Sequence, residues 1–125
     1  MKINITVSDE LVLNALISGI EGGIRYWAGQ CTSESGKVNV ANLGRVERFY
    51  TAPFSGGHIV INETQEIEPK NNQTFKLTLE RLQKGLVIMA EKYPFHFARI
   101  LGDNSDCITG DVLVQLSCFE DIKYA

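Results

Sequence analysis

A chain of 125 residues with 44% apolar and 22% charged side chains has the size of one domain and buries roughly two-thirds of its unfolded surface in one core, which excludes an intrinsically disordered polymer. Its net charge of -3 excludes a duplex-binding face, whose affinity comes from a basic surface that displaces counterions, yet leaves room for a small anion held by one or two arginines. Cys31, Cys107 and Cys118 are odd in number and lack a Cys-x-x-Cys pair, so they read as reduced thiols and not as a disulfide framework or a zinc site.

The amino terminus MKINITVSDE alternates Ile3, Ile5 and Val7 with polar residues, the period of a half-buried strand or an extended lead-in. It lacks the apolar centre of a signal peptide, and no run reaches the length of a membrane span, so a cytoplasmic protein is expected. Ser8 reads as a helix N-cap with Asp9 and Glu10 in the first turn, and Leu13, Leu16, Ile17 and Ile20 recur at helical spacing; a helix is expected over about 9–21. Gly22 and Gly23 end it.

Residues 29–45 are rich in Gly, Ser and Asn and read as a loop with one short strand at 38–40. Two β-prone runs, 58–63 and 74–77, separated by a polar stretch with Pro69, Asn71 and Asn72, form an expected antiparallel hairpin with a long loop. Thr78 caps a second helix over 79–92, which Pro94 stops. In PFHFARILGDN the alternation of Phe95, Phe97 and Ile100 suggests a short extended piece, after which Ser105 or Asp106 caps a third helix. Residues 120–124 alternate as a closing strand would. The order of elements does not alternate as in a doubly wound sheet, so the expected class is α+β, a single compact domain with a mainly antiparallel β-sheet and about three α-helices.

Chemistry is sparse. No Walker-type or dinucleotide glycine motif occurs, nor Gly-x-Ser-x-Gly or His-Glu-x-x-His. His58 lies in a strand pattern and His96 between phenylalanines, positions that suit packing more than proton transfer. Asp103, Asp106 and Asp111 surround the start of the third helix, either as caps or as a metal-binding group. The stretch SGIEGGIRYWAG sets Arg25, Tyr26 and Trp27 side by side. Aromatic faces stack purines and a guanidinium grips phosphate with two hydrogen bonds, but Trp27 equally suits a core position with its indole N–H on a carbonyl, Arg25 being solvated. Arg99, at the edge of a glycine turn before a helix start, either meets an anion there or pairs with Asp103 or Asp106.

Taken together and in order, ALISGIEGGIRYWA, LTLERLQKGLVIMAEKY and DNSDCITGDVLVQLSCFEDIKY resemble the phage Thoeris anti-defence family of the first-described sponge type. The resemblance covers most of the chain outside residues 29–56. It implies a protein without catalytic residues, metal or cofactor, which sequesters the glycocyclic ADP-ribose made by bacterial TIR-domain enzymes in the cytoplasm of the infected host. It also implies uptake of cyclic di- and trinucleotides, and a symmetric homo-oligomer with pockets between subunits, with no DNA or RNA polymer and no membrane as partner. Mapped onto these motifs, Trp27 and Tyr26 are expected to stack on the base, Arg25 and Arg99 to hold phosphate, and Asp106 or Thr109 to meet ribose or base edges. Leu11, Val12 and Val87 widen the apolar faces of the first two helices and are expected at the oligomer contact. Two other readings stand beside this one: a phage inhibitor that binds a host defence protein directly, and a small nucleotide-processing enzyme.

Overall fold

The computed structural model describes residues 4–29, 31–34, 49–64 and 73–124. Helix α1, Asp9–Ser18, begins where the Ser8 hydroxyl accepts the Leu11 N–H at 3.3 Å, and it buries Val12, Ala15 and Leu16. The regular helix stops earlier than expected. Residues Gly19–Gly23 form a wider π-helical turn and Ile24–Tyr26 a 3-10 turn, a change of winding that three glycines at 19, 22 and 23 leave unopposed by side-chain restraint.

Strands β1 (Thr32–Glu34), β2 (His58–Asn62) and β3 (Thr74–Leu77) form an antiparallel sheet in that order, with Thr32 opposite Val60 and Ile59 opposite Leu77. A single bridge from Ala28 to Glu63 continues it. Helix outweighs strand in the described residues, so the α+β class holds, and the sheet is antiparallel as expected but small. Residues 4–8 take no regular secondary structure, and the strand expected at 38–40 lies outside the described residues.

Helix α2, Leu79–Lys92, is capped by Thr78, whose hydroxyl accepts the Arg81 N–H at 3.2 Å. Pro94 does end that register, but it also opens a new helix, α3 (Pro94–Leu101). The extended piece expected there is overturned: proline at the first helical position has no orphan N–H to satisfy and its fixed φ suits a helix start. Helix α4, Cys107–Phe119, is capped by Asp106 and is buried continuously from Thr109 to Cys118. A helix covered on all sides is the centre of the core, and α1, α2, the π turn and β3 all pack on it. Close approach is possible because Gly110 has no side chain: a Cβ there would lie 2.3 Å from the Gly19 nitrogen and 2.5 Å from the Ala15 oxygen.

Residues 120–124 form no strand. Glu120 takes a left-handed conformation, φ 59°, that ends α4 and turns the chain back along it. The backbone N–H groups of Lys123 and Tyr124 then find the Gln115 side-chain oxygen, at 2.9 and 2.8 Å, which leaves no donor for a ladder. This C-terminal strap is also tied to the sheet. The buried Glu63 carboxylate accepts from Lys123 Nζ at 2.6 Å, the Tyr124 hydroxyl at 2.5 Å and the Gln73 N–H at 3.2 Å. Burial pushes the Glu63 carboxyl up, but these donors outweigh it and hold it below its ordinary 4.5.

Two outcomes follow from this packing. Gly110→Ala should destabilise the protein by about 1–3 kcal/mol in urea unfolding, whereas Gly102→Ala, where an added Cβ would lie no nearer than 3.3 Å to the exposed Asn104 side chain and φ is -85°, should cost less than about 1 kcal/mol. Because the folded-state Glu63 value is depressed, its contribution is present above the unfolded value and disappears as pH falls through the folded one. Urea midpoints measured from about pH 6 down to 3 should therefore decline less steeply in Glu63→Gln than in the parent below about pH 4.5, and parallel curves would refute this role.

Candidate functional site

The turn after α1 sends three neighbouring side chains in different directions. Trp27 has no exposed surface. Its ring lies parallel to Tyr124, with centroids 5.6 Å apart and planes 6° apart, and tilts against Phe119 at 5.3 Å. The indole N–H donates to Asp111 Oδ1 at 2.7 Å. Trp27 therefore has no face open to a base, and the stacking role expected of it is corrected: it is a core anchor whose acceptor is a carboxylate, where a carbonyl was expected.

Tyr26 is 44% exposed, but its hydroxyl is engaged, donating to Asp111 Oδ2 at 2.6 Å and accepting from Gln115 Nε2 at 3.3 Å. Desolvation, and then the Asp111 carboxylate, push the phenol up to about 12. Its ring edge is available to solvent; its polar atom belongs to the core network.

Arg25 is exposed and makes no ion pair or hydrogen bond among the described residues. It lines an open groove of about 700 Å³ together with Glu21, Phe49 and Tyr50, and among the described residues Ile20, Gly29 and Cys31 also line it. The π turn places Glu21 and the 3-10 turn places Arg25 on this side, and the segment entering the 3-10 turn Ala52–Ser55 supplies the aromatics. Phe49 and Tyr50 meet edge to face, centroids 5.1 Å apart at 83°. The Tyr50 hydroxyl donates to Glu21 Oε1 at 2.9 Å. Burial first, then Glu21, push this phenol up to about 12, with Arg25 near enough to pull the other way. Burial also raises the Cys31 thiol, so a reactive thiolate is not favoured in the groove.

A second cluster forms at the α3–α4 junction. Asp106 caps α4, with Oδ1 accepting the Thr109 N–H at 2.8 Å and Oδ2 accepting from the Arg99 guanidinium at 3.3 Å. The Thr109 N–H contributes most to holding the Asp106 carboxyl below its ordinary value; burial opposes it and Arg99 assists. Arg99 also lies 5.8 Å over the Phe95 ring, and Thr109 Oγ1 is 2.9 Å from His96 Nδ1. Arg99, Asp106 and Thr109 are thus brought together, apart from the Arg25 groove, which none of them lines. Thr109 has no exposed surface, so the expected contact between Thr109 and a ligand is corrected to a buried helix-start role.

The three aspartates have separate partners. Asp103 accepts from Asn14 Nδ2 at 3.1 Å, Asp106 caps α4, and Asp111 serves Trp27 and Tyr26. Among the described residues no group of three or more His, Cys, Asp or Glu side chains is placed to hold a metal ion. Val12, expected at an oligomer contact, is 4% exposed and belongs to the core, whereas Val87 is 58% exposed.

Sequence reasoning missed Phe49, Tyr50 and Glu21. The aromatic pair in RVERFYTAPF was the one available signal, and nothing local connects it to a turn more than twenty residues earlier. No family model matches the chain, and no curated protein or solved structure matches it either. Among the described residues no helix is long and apolar enough to cross a membrane.

Asp111→Ala should leave the Trp27 and Tyr26 donors without their acceptor in the core and cost about 3 kcal/mol in urea unfolding. In the parent protein Trp27 emission should be blue-shifted and poorly quenched by acrylamide; in Asp111→Ala it should move to the red and become quenchable. Ready quenching in the folded parent would contradict the sealed position of the indole.

Proposed function

We propose that the protein captures a small ring-bearing anion of the cyclic ADP-ribose class in the Arg25 groove and holds it without turnover. The observation that carries this reading is the convergence of a guanidinium with no ion-pair partner among the described residues, two aromatic rings and a carboxylate in one open cavity. Rings and a planar cation are the groups that bind a purine and a phosphate, and they do not by themselves activate water. Stacking passes from Trp27 to half-buried Phe49, which the buried Tyr50 braces. The resemblance to the Thoeris anti-defence sponges supplies the biological setting: removal of a TIR-derived signal, glycocyclic ADP-ribose foremost, in the cytoplasm of an infected bacterium.

Nanomolar capture needs about 12 kcal/mol, whereas one stacked base supplies about 1–3 kcal/mol, so an open half-site on one chain is insufficient. A homo-oligomer with pockets between subunits meets that demand, and Arg99 and Asp106 would reach such a ligand from a neighbouring copy. Apolar surface suited to assembly lies beside α2, where Ile5 and Val87, each more than half exposed, flank a cavity of about 580 Å³. The second reading, direct binding to a host defence protein, draws on a different surface: Phe95 and Ile108 are 69% and 62% exposed around the α3–α4 junction.

The deciding experiment mixes the protein with glycocyclic ADP-ribose or cyclic ADP-ribose, removes free nucleotide by ultrafiltration, denatures the retentate and identifies what is released by mass. The expected result is retention of nucleotide of unchanged mass, weakened about 10-fold or more in Arg25→Ala, the loss of a charge-assisted contact. A product of altered mass would establish an enzyme. No retention together with co-purification of a host protein would favour the second reading.

A further inference from the structure

The groove that carries the proposed capture contains a cation and also a fixed anion, and this inference rests on that capture. Arg25 and Glu21 are one helical turn apart, and the remaining lining residues, Ile20, Gly29, Cys31, Phe49 and Tyr50, carry no formal charge. The described lining is therefore neutral in sum. A site evolved for any phosphate would gain nothing from a carboxylate beside its arginine, because like charges in a partly enclosed cavity repel.

Glu21 is held in place. Its Oε1 accepts the Tyr50 hydroxyl at 2.9 Å, Tyr50 is 7% exposed, and its ring is braced edge to face by Phe49. Glu21 is exposed and lines the groove, and its Oε2 has no partner among the described residues. A carboxylate oxygen of this kind takes hydrogen bonds from a ribose hydroxyl or an exocyclic amine, and it receives nothing from a phosphate oxygen, which is itself an acceptor.

We propose that Glu21, positioned by Tyr50, is a specificity-determining residue that admits nucleotides whose phosphates are internal to the molecule and rejects those ending in a free phosphate. A bridged diphosphate carries one negative charge on each phosphorus and is flanked on both sides by hydroxyl-bearing sugars. With the diphosphate at Arg25, such a ligand brings donors to Glu21. A nucleoside triphosphate of similar length brings a terminal group of up to two negative charges to the same carboxylate. The discrimination is thus repulsive against one class and attractive toward the other.

The test measures binding of cyclic ADP-ribose, ADP-ribose and ATP to the parent protein, Glu21→Gln and Tyr50→Phe by equilibrium dialysis, with thermal unfolding confirming that each variant is folded. Glutamine keeps an oxygen for the Tyr50 hydroxyl and removes only the charge. The parent should bind both internal diphosphates at least about 10-fold more tightly than ATP, and Glu21→Gln should reduce that ratio by about 10-fold, mainly by improved ATP binding that fades at high salt. Tyr50→Phe, which frees Glu21 to swing away, should reduce the ratio by a smaller factor. An unchanged ratio in Glu21→Gln, or a parent protein that binds ATP as tightly as cyclic ADP-ribose, overturns the role of Glu21 while leaving capture intact. Failure of the parent to bind any of the three overturns capture itself, and the selectivity with it.

Discussion

The buried Asp111 carboxylate organises the interior around the central helix. Asp111, 8% exposed and on the central helix, accepts from the Trp27 indole, the Tyr26 hydroxyl and the Gln115 amide at 2.6 to 3.0 Å. An isolated charge in an apolar core is costly, and three short donors are the arrangement in which that cost is offset. The donors come from opposite ends of the chain's wiring: two from the turn after α1, one from the next turn of α4. Gln115 then passes the constraint onward, since its amide also donates to the Tyr124 carbonyl at 3.0 Å while its oxygen receives two backbone N–H groups of the strap. Removal of Asp111 would therefore release the turn and weaken the strap at once.

Glu63 performs the same service from the sheet. It is the second buried carboxylate, and its donors, Lys123 and Tyr124, belong to the strap that Gln115 holds from the other side. Tyr124 is thus gripped by its backbone at α4 and by its hydroxyl at Glu63, just past β2, with its ring laid over Trp27. The strap has no ladder of its own to fix it; these side-chain bonds do that work. Because Trp27 is immobilised from two directions, the turn that precedes it has one orientation, and Arg25 points away from the core as a geometric consequence.

Much of the helical framework was legible because capping chemistry is local. Ser8, Thr78 and Asp106 each bond the N–H three residues on, and each stands before an apolar periodic run. Strand β3 was legible for the same reason, as a short β-prone run between polar segments. Helix α3 was not, because Phe95 and Phe97 mimic period two over a stretch too short to distinguish from a helix, while Pro94 serves equally as a stop and a start. Residues 120–124 alternate convincingly, yet a strand needs a neighbour, and the neighbour's place is taken by a glutamine. Of the candidate site, only Arg25 was visible. Residue type marked Trp27 as a stacking face, but whether a tryptophan faces solvent depends on what closes over it, here Tyr124, almost a hundred residues away.

The burial of Trp27 sharpens the functional argument. A ligand platform must be dry enough to hold a ring and yet open enough to admit it, and a side chain sealed by two aromatic neighbours and a carboxylate meets only the first demand. Half-buried Phe49 meets both, since it lines the groove and is braced edge to face by Tyr50, which is itself buried and tied to Glu21. Under the proposed capture, a protein of net charge -3 attracts an anionic ligand by no long-range field, and association is governed by the fit inside the groove. Such a site gains affinity by enclosure, because each additional wall excludes water and strengthens the single guanidinium contact. Under the proposed capture, the open side of the groove is accordingly the surface on which retention of the ligand would depend.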